Sequence, residues 1–309
     1  MRNRFVLGGA LLLAAVAVSG CSRMTATTDV KADGSFTRSL AYSESKPIGS
    51  SGGAQLSDTF VLPQAPAWKV SKTIADGDVK YGATIRVAAG QTLARDVSVR
   101  RKDQGPVLVT NKVSVAQVSP GRWRYTETIH WNGPIPKEVA VPEASTLSQI
   151  KLALPASVAT DDTVRALAPA LARAVWSVLF GPGEPVLPQL FLQPDAAERT
   201  MRRRAGRGIE KVLADKLGGK LNAAERRQTT RRILSALTAV SQSKKDNPTG
   251  GAGDDGTDLP SLSFVLKVPG HLVSTNGETD DYSDDVFWTL YPEAAALGDV
   301  TLSAEWTVR

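Results

Sequence analysis

The 309-residue chain holds one cysteine, Cys21, and two histidines, His130 and His271. A single thiol excludes an internal disulfide and any metal site built from several cysteines. The histidines stand far apart, and neither has a carboxylate or second histidine at ligand spacing. Zinc normally takes three or four protein ligands of Cys, His or carboxylate type. No metal site and no cofactor are therefore expected. Long apolar runs are also missing. The charge-free stretch from Phe5 to Val18 has 14 residues, short of the roughly 20 that a helix needs to span a bilayer. No later segment is apolar for the roughly 18 residues that would suggest a span. What remains is ordinary for a globular protein, with 42% hydrophobic and 22% charged residues. The length allows a sizeable core, as one large domain or two small ones.

The chain starts with Arg2 and Arg4, continues through the apolar run, and exits through Val18, Ser19, Gly20 and Cys21. A basic start, a short apolar stretch and a small-residue exit describe a secretory signal over residues 1–20. The exit resembles the lipobox of bacterial lipoproteins. That resemblance implies that Cys21 carries a diacylglycerol thioether and becomes the first residue after cleavage. An ordinary signal peptide with a chance cysteine beside its cut site is the bland alternative. Two or three acyl chains hold a protein firmly, because each buried methylene adds about 0.8 kcal/mol. Ser22, not Asp, follows the cysteine. If the organism is diderm, the sorting rule of such lipoproteins implies the outer membrane. The expected partner is thus a membrane, reached through the lipid from the extracytoplasmic side. Residues 21–28 are expected to form a tether, which would keep the body within roughly 25 Å of the lipid surface.

Further on, residues 29–159 form an expected β-rich part. Asp33-Gly34 and Asp76-Gly77 each sit between extended arms, and Asp-Gly is a strong hairpin signal because both residues tolerate positive φ. Val79, Tyr81, Ile85 and Val87 alternate, as do Val107, Val109, Val113 and Val115. Residues 160–243 carry the helical period. Val164, Leu167, Leu171, Val175 and Val178 make one stripe; Ala197, Met201, Ala205, Ile209 and Leu213 make another. Asp195 with Glu198, and Asn222 with Glu225, have capping-box spacing. Residues 244–259 are rich in Gly, Asp and Pro and form an expected flexible linker. Alternation returns over residues 260–309, in Leu262, Phe264, Leu266 and Val268, and again in Leu302, Ala304, Trp306 and Val308. The fold class expected is α+β: one antiparallel sheet formed by the N- and C-terminal segments, with a three-helix insertion.

Pro269-Gly270, Asn276-Gly277, Val286 and Trp288, together with the lipobox, resemble the LppM-like bacterial lipoproteins. The resemblance covers about a quarter of the chain and none of the helical segment. It implies a membrane-attached, extracytoplasmic α+β domain, and it supplies no catalytic residues.

Several constellations have a functional and a bland reading. Gly49, Ser51 and Gly53 fit a nucleophile elbow, and Gly251, Gly253 and Gly256 fit a dinucleotide fingerprint. Both lack the preceding strand that the chemistry requires. Asp280, Asp281, Asp284 and Asp285 could bind Ca²⁺ or form a solvated acidic turn. Trp123, Tyr125 and Trp131 share a strand face and could line a ligand groove for a small molecule or lipid; core packing is the alternative. Glu127 falls on the same face, where it could act as a general acid or meet an arginine such as Arg86 or Arg100.

The charge is unevenly spread. Residues 195–245 hold 14 Lys and Arg against 5 Asp and Glu, whereas the whole chain has a formal charge of only +6. Arg199, Arg203, Arg207 and Lys211 recur every four residues, about 200° from the apolar row. Arg227 and Arg231 add to the patch. Guanidinium forks suit phosphate, so Arg199, Arg203, Arg207, Arg227 and Arg231 are the expected contacts to anionic lipid or an envelope polymer. A solvated basic face is the alternative. No nucleic-acid motif is present, and no nucleic-acid partner is expected. These features together imply a non-enzymatic, lipid-anchored envelope protein, or else a carrier that uses the aromatic groove.

Overall fold

The computed structural model describes residues 22–44, 56–75, 78–100, 105–133, 144–181, 194–246, 260–279, 283–291, 294 and 297–308. Cys21, the residues before it, both glycine motifs, Asp280 and Asp281 lie outside them. The chain forms two compact units. One combines Ser19–Pro134 with Thr257–Arg309, and the other comprises Ile135–Gly181 and Pro185–Gly256.

The chain is α+β, as expected, and its first unit is almost wholly β. Its strands are β1 (Ser22–Val30), β2 (Phe36–Glu44), β3 (Lys69–Ala75), β4 (Asp78–Val87), β5 (Thr92–Arg100), β6 (Val107–Ser119), β7 (Arg122–Trp131), β8 (Ser261–Lys267), β9 (His271–Thr275), β10 (Glu278–Thr279), β11 (Val286–Leu290) and β12 (Val300–Thr307). One short helix, α1 (Leu56–Thr59), precedes β3. Two sheets result, ordered β10-β11-β8-β1-β2-β4-β3 and β5-β6-β7-β12-β9. Both draw strands from the two ends of the chain, as the alternation implied. Two expectations need correction. There are two facing sheets, not one, because each strand has one apolar face and those faces need each other to exclude water. Also, β1 starts at Ser22, so the stretch expected to be a tether is sheet: Met24, Ala26 and Thr28 alternate inward and are buried. β1 pairs with β8 in parallel, and every other strand pairing among the described residues is antiparallel.

The core between the sheets contains Phe36, Leu40, Tyr42, Phe264, Trp288 and Trp306 among others. The turn between β1 and β2 needs glycine twice over. Gly34 has φ +83°, and a Cβ there would overlap the ring of Trp123. Asn276 joins the two sheets. Its Oδ1 accepts from Trp288 Nε1 on β11 at 3.0 Å and from the Ser303 amide on β12 at 2.9 Å. Its Nδ2 donates to the Thr301 carbonyl at 2.8 Å. A Cβ on Gly277 would strike Val286 and Trp288. The Asn-Gly and Val-x-Trp residues thus form one mechanical clamp.

The helical unit comprises α2 (Ala144–Ala153), α3 (Asp161–Phe180), α4 (Pro194–Leu217) and α5 (Ala223–Asp246). The expectation was three helices from residue 160; α2 is a fourth, within a part read as β-rich. Ile150, Ala153 and Leu154 bury it against the others. It is only ten residues long, so tertiary packing rather than its own period stabilises it. α3 starts at a Thr160 cap whose side chain accepts from the Thr163 amide at 3.2 Å. By length and mean hydropathy, α3 could also cross a membrane. Here Val164, Leu167 and Leu171 are buried in the helical core. α4 starts at Pro194, one residue before the expected cap, where a missing N–H costs nothing. α5 has the expected capping box: Asn222 Oδ1 accepts from the amides of Ala224 and Glu225 at 2.9 and 3.0 Å, and Glu225 Oε2 accepts from the Asn222 amide at 2.8 Å. The helix runs to Asp246, so residues 244–246 are not linker.

Candidate functional site

On α4, Ala197, Ala205, Ile209 and Leu213 are buried, while Arg199, Arg203, Arg207 and Lys211 are exposed. The four-residue spacing predicted this division. On α5, Thr229, Thr230 and Ile233 are buried and Arg227 and Arg231 are exposed. Leu217 closes α4 and Ala223 opens α5, so a short connection makes the two helices antiparallel. A Cβ on Gly206 would meet Leu234 at 3.5 Å and Thr230 at 3.9 Å. That contact sets the level of one helix against the other. Arg207 then stands opposite Arg231, and Lys211 opposite Arg227, one turn on. The basic residues of two helices thereby form one outward surface. None of the five arginines makes an ion pair among the described residues. By contrast, Arg202 is tied to Glu198 at 2.9 Å, and Arg226 donates to the Leu221 carbonyl at 2.7 Å.

The β unit contains charges of the opposite kind. Arg38 on β2 is fully buried between the sheets. Its Nε donates to Asp96 Oδ2 at 2.7 Å, its Nη2 to Glu127 Oε1 at 2.6 Å, and its Nη1 to Thr28 Oγ1 at 2.7 Å and Glu127 Oε2 at 3.2 Å. Asn111 Nδ2 donates to both carboxylates at 2.7 Å. The Tyr125 hydroxyl donates to Glu127 Oε2. Asp96 owes its inward aim to a bulge in β5, where the register shifts after Ala94 and Arg95 has φ +60°. The Val97 amide in that bulge is taken up by Asn111 Oδ1 at 2.9 Å.

Two carboxylates face one guanidinium here, and all three side chains are fully buried. Burial pushes the Glu127 carboxyl up, and Asp96 adds to this; Arg38 opposes it. Burial alone would lower Arg38, but Glu127 and Asp96 outweigh it and hold the guanidinium well above its usual value. The Tyr125 phenol is raised by burial and by Glu127. Tyr42 is likewise raised by burial, then by Asp96, and its hydroxyl has no hydrogen-bond partner among the described residues.

This arrangement corrects two expectations. Glu127 meets an arginine, but it is Arg38 from the opposite sheet, not Arg86 or Arg100. Arg86 is exposed on β4. Trp123, Tyr125 and Trp131 do not line one groove. Tyr125 is 1% exposed, its ring stacked on Trp288 at 5.9 Å. Trp123 lies over the Gly34 turn. Trp131 is at the other end of β7, about 26 Å away at strand rise, where it borders a small apolar recess of about 40 Å³ with Leu262 and Leu290. His130 is on the outer face of β7, with Nδ1 2.9 Å from Asp299, and does not converge with Glu127. Among the described residues, no three His, Cys, Asp or Glu side chains group as metal ligands. Asp284 approaches His271 at 3.8 Å, and Asp285 approaches Lys267 at 3.9 Å.

Arg38, Asp96 and Asn111 were missed in the sequence, although a signal existed. Asn111 interrupts the row Val109, Val113, Val115 in phase, and Arg38 sits in phase between Phe36 and Leu40.

No protein-family model matches the chain, and no curated protein matches it. A similar solved structure is the NMR structure of the folded domain of the Mycobacterium tuberculosis LppM protein. It is 10% identical with a TM-score of 0.32, over 94% of this chain and 91% of that one. A likeness of that degree says nothing about what this chain does.

Proposed function

We propose that this chain is a lipid-anchored, extracytoplasmic envelope protein without enzymatic activity, and that its helical unit binds anionic phospholipid. The observation that carries the reading is the row of exposed arginines, Arg199, Arg203, Arg207, Arg227 and Arg231, none ion-paired among the described residues. Near an anionic leaflet, each such residue contributes about 1 kcal/mol, and a guanidinium fork fits a phosphate. The lipobox at Val18–Cys21 supports placement beside that leaflet. The burial of Glu127 supports a structural role for that carboxylate. Its oxygens are taken by Arg38, Asn111 and Tyr125, out of reach of any substrate.

Co-sedimentation of a Cys21→Ser form with vesicles tests the surface apart from the lipid anchor. Binding to phosphatidylglycerol vesicles should exceed binding to phosphatidylcholine vesicles. It should weaken with salt, because exposed charges are screened, and fall when the five arginines are changed to glutamine. Equal binding to neutral and anionic vesicles at low salt would remove the proposal.

A further inference from the structure

The strand register singles out one end of the β unit. Ser22 opens β1, so a lipid on Cys21 is joined to the sheet by one peptide link, with adjacent Cα atoms about 3.8 Å apart. Ser22 pairs with Glu44, Glu44 with Val79 and Val79 with Ile74. That row is one end of the seven-stranded sheet. Arg23 pairs with Ser261, which brings the start of β8 to the same end. The recess shared by Pro260, Leu262, Tyr291, Ile129 and Trp131 shows which end of the facing sheet meets it: the end where β7 finishes. The Gly34 turn, with Trp123 against it, marks the opposite end. β1 has nine residues, so the two ends are about 30 Å apart.

The surface at the first end suits a bilayer interface. Arg23, Lys72 and Lys80 are exposed within two register positions of Ser22. Ile74 is 65% exposed in the same row, and Val107, just beyond the Trp131 pairing, is 36% exposed. Trp131 and Tyr291 are half-buried at the rim of the recess. Trp and Tyr favour the headgroup level, where an apolar ring and a polar tip are both satisfied. Lys and Arg beside them can lay their stems on apolar surface and reach phosphate. Gly133, packed on Trp131, and Pro260, at the recess, also lie at this end.

We infer that the end of the β unit bearing Ser22, Ile74, Val107, Trp131 and Tyr291 rests directly on the phospholipid headgroups, with the Gly34 end turned away from the bilayer. This rests on the lipid anchor proposed above; no flexible tether intervenes to let the unit drift.

The lone thiol makes a clean test available. In the lipidated full chain Cys21 is blocked, so an introduced cysteine is the only free one. Asn132→Cys labels the near end and Ala32→Cys labels the far end; both positions are exposed. Each carries an environment-sensitive dye in phosphatidylglycerol–phosphatidylcholine vesicles containing headgroup-nitroxide lipid. Quenching several-fold stronger at position 132 than at position 32 is expected. Equal quenching, or stronger quenching at position 32, overturns the orientation. Intact mass separates the two failures. A thioether at Cys21 with an unquenched label at 132 ends the orientation alone. An unmodified Cys21 ends the anchor, and the orientation with it.

Discussion

Arg38 and Arg203 are the same residue in two environments. Arg38 is sealed between two sheets, with Asp96, Glu127 and Thr28 taking its donors. Arg203 lies exposed on α4, unpaired among the described residues. The contrast teaches where charge serves architecture and where it serves encounter. A buried guanidinium costs several kcal/mol to desolvate and survives only with full pairing. Its partners also register the sheets, because fork and carboxylates fit in one alignment. An exposed arginine remains hydrated and costs the fold little. Its donors are available to whatever anion approaches.

The comparison can be broken at its strongest point first. Glu127→Ala leaves Arg38 paired with Asp96 alone and removes the buried acceptor of Arg38 Nη2 and of the Tyr125 hydroxyl. Chemical denaturation should show a loss of about 3–5 kcal/mol. A loss below 1 kcal/mol would mean that water or another group replaces the partner. Arg38→Lys keeps the charge but loses the planar fork. It should cost about 1–3 kcal/mol through acceptors left unpaired. On the other side, Arg203→Ala should alter stability by less than about 0.5 kcal/mol. It should weaken binding to anionic vesicles by about 1 kcal/mol, roughly fivefold. Destabilisation comparable to that of Glu127→Ala would erase the distinction.

The finest test is pH. Glu127 titrates above its usual 4.5 in the folded state, through burial and Asp96. Its contribution to stability is fully present below 4.5 and is lost as pH rises through the raised folded value. Glutamine does not titrate. The stability advantage of the native chain over Glu127→Gln should therefore be greatest below pH 4.5 and shrink as pH rises. An advantage that grows with pH would show that Arg38 and the hydrogen bonds outweigh burial.

Much of the β unit was legible because alternation is local. Asp33-Gly34 marked its hairpin, and the rows around Val113 and Phe264 marked inward faces. The helix α2 was not legible, since ten residues carry too few turns for a stripe. The doubling into two sheets was not legible either. Strand patterns say that one face is apolar but not which strand will cover it. The same limit hid the partner of Glu127. Arg38 is 89 residues away, and Asp96 is 58 from Arg38. Asp96 also faces inward only because β5 bulges. The aromatic row misled for a related reason: one strand face can run from one end of a sandwich to the other without making a single pocket.

The sequence by itself determined the periodicities, the turn glycines, the capping box at Asn222 and the concentration of arginine on two helix faces. Each follows from the chemistry of residues within a few positions of one another. Only the tertiary structure decided that β1 begins immediately after Cys21, that two sheets enclose Arg38, and that Trp131 and Ser22 share an end. Those facts depend on which distant strands pair, and pairing is settled by the burial of whole faces rather than by any local run of residues.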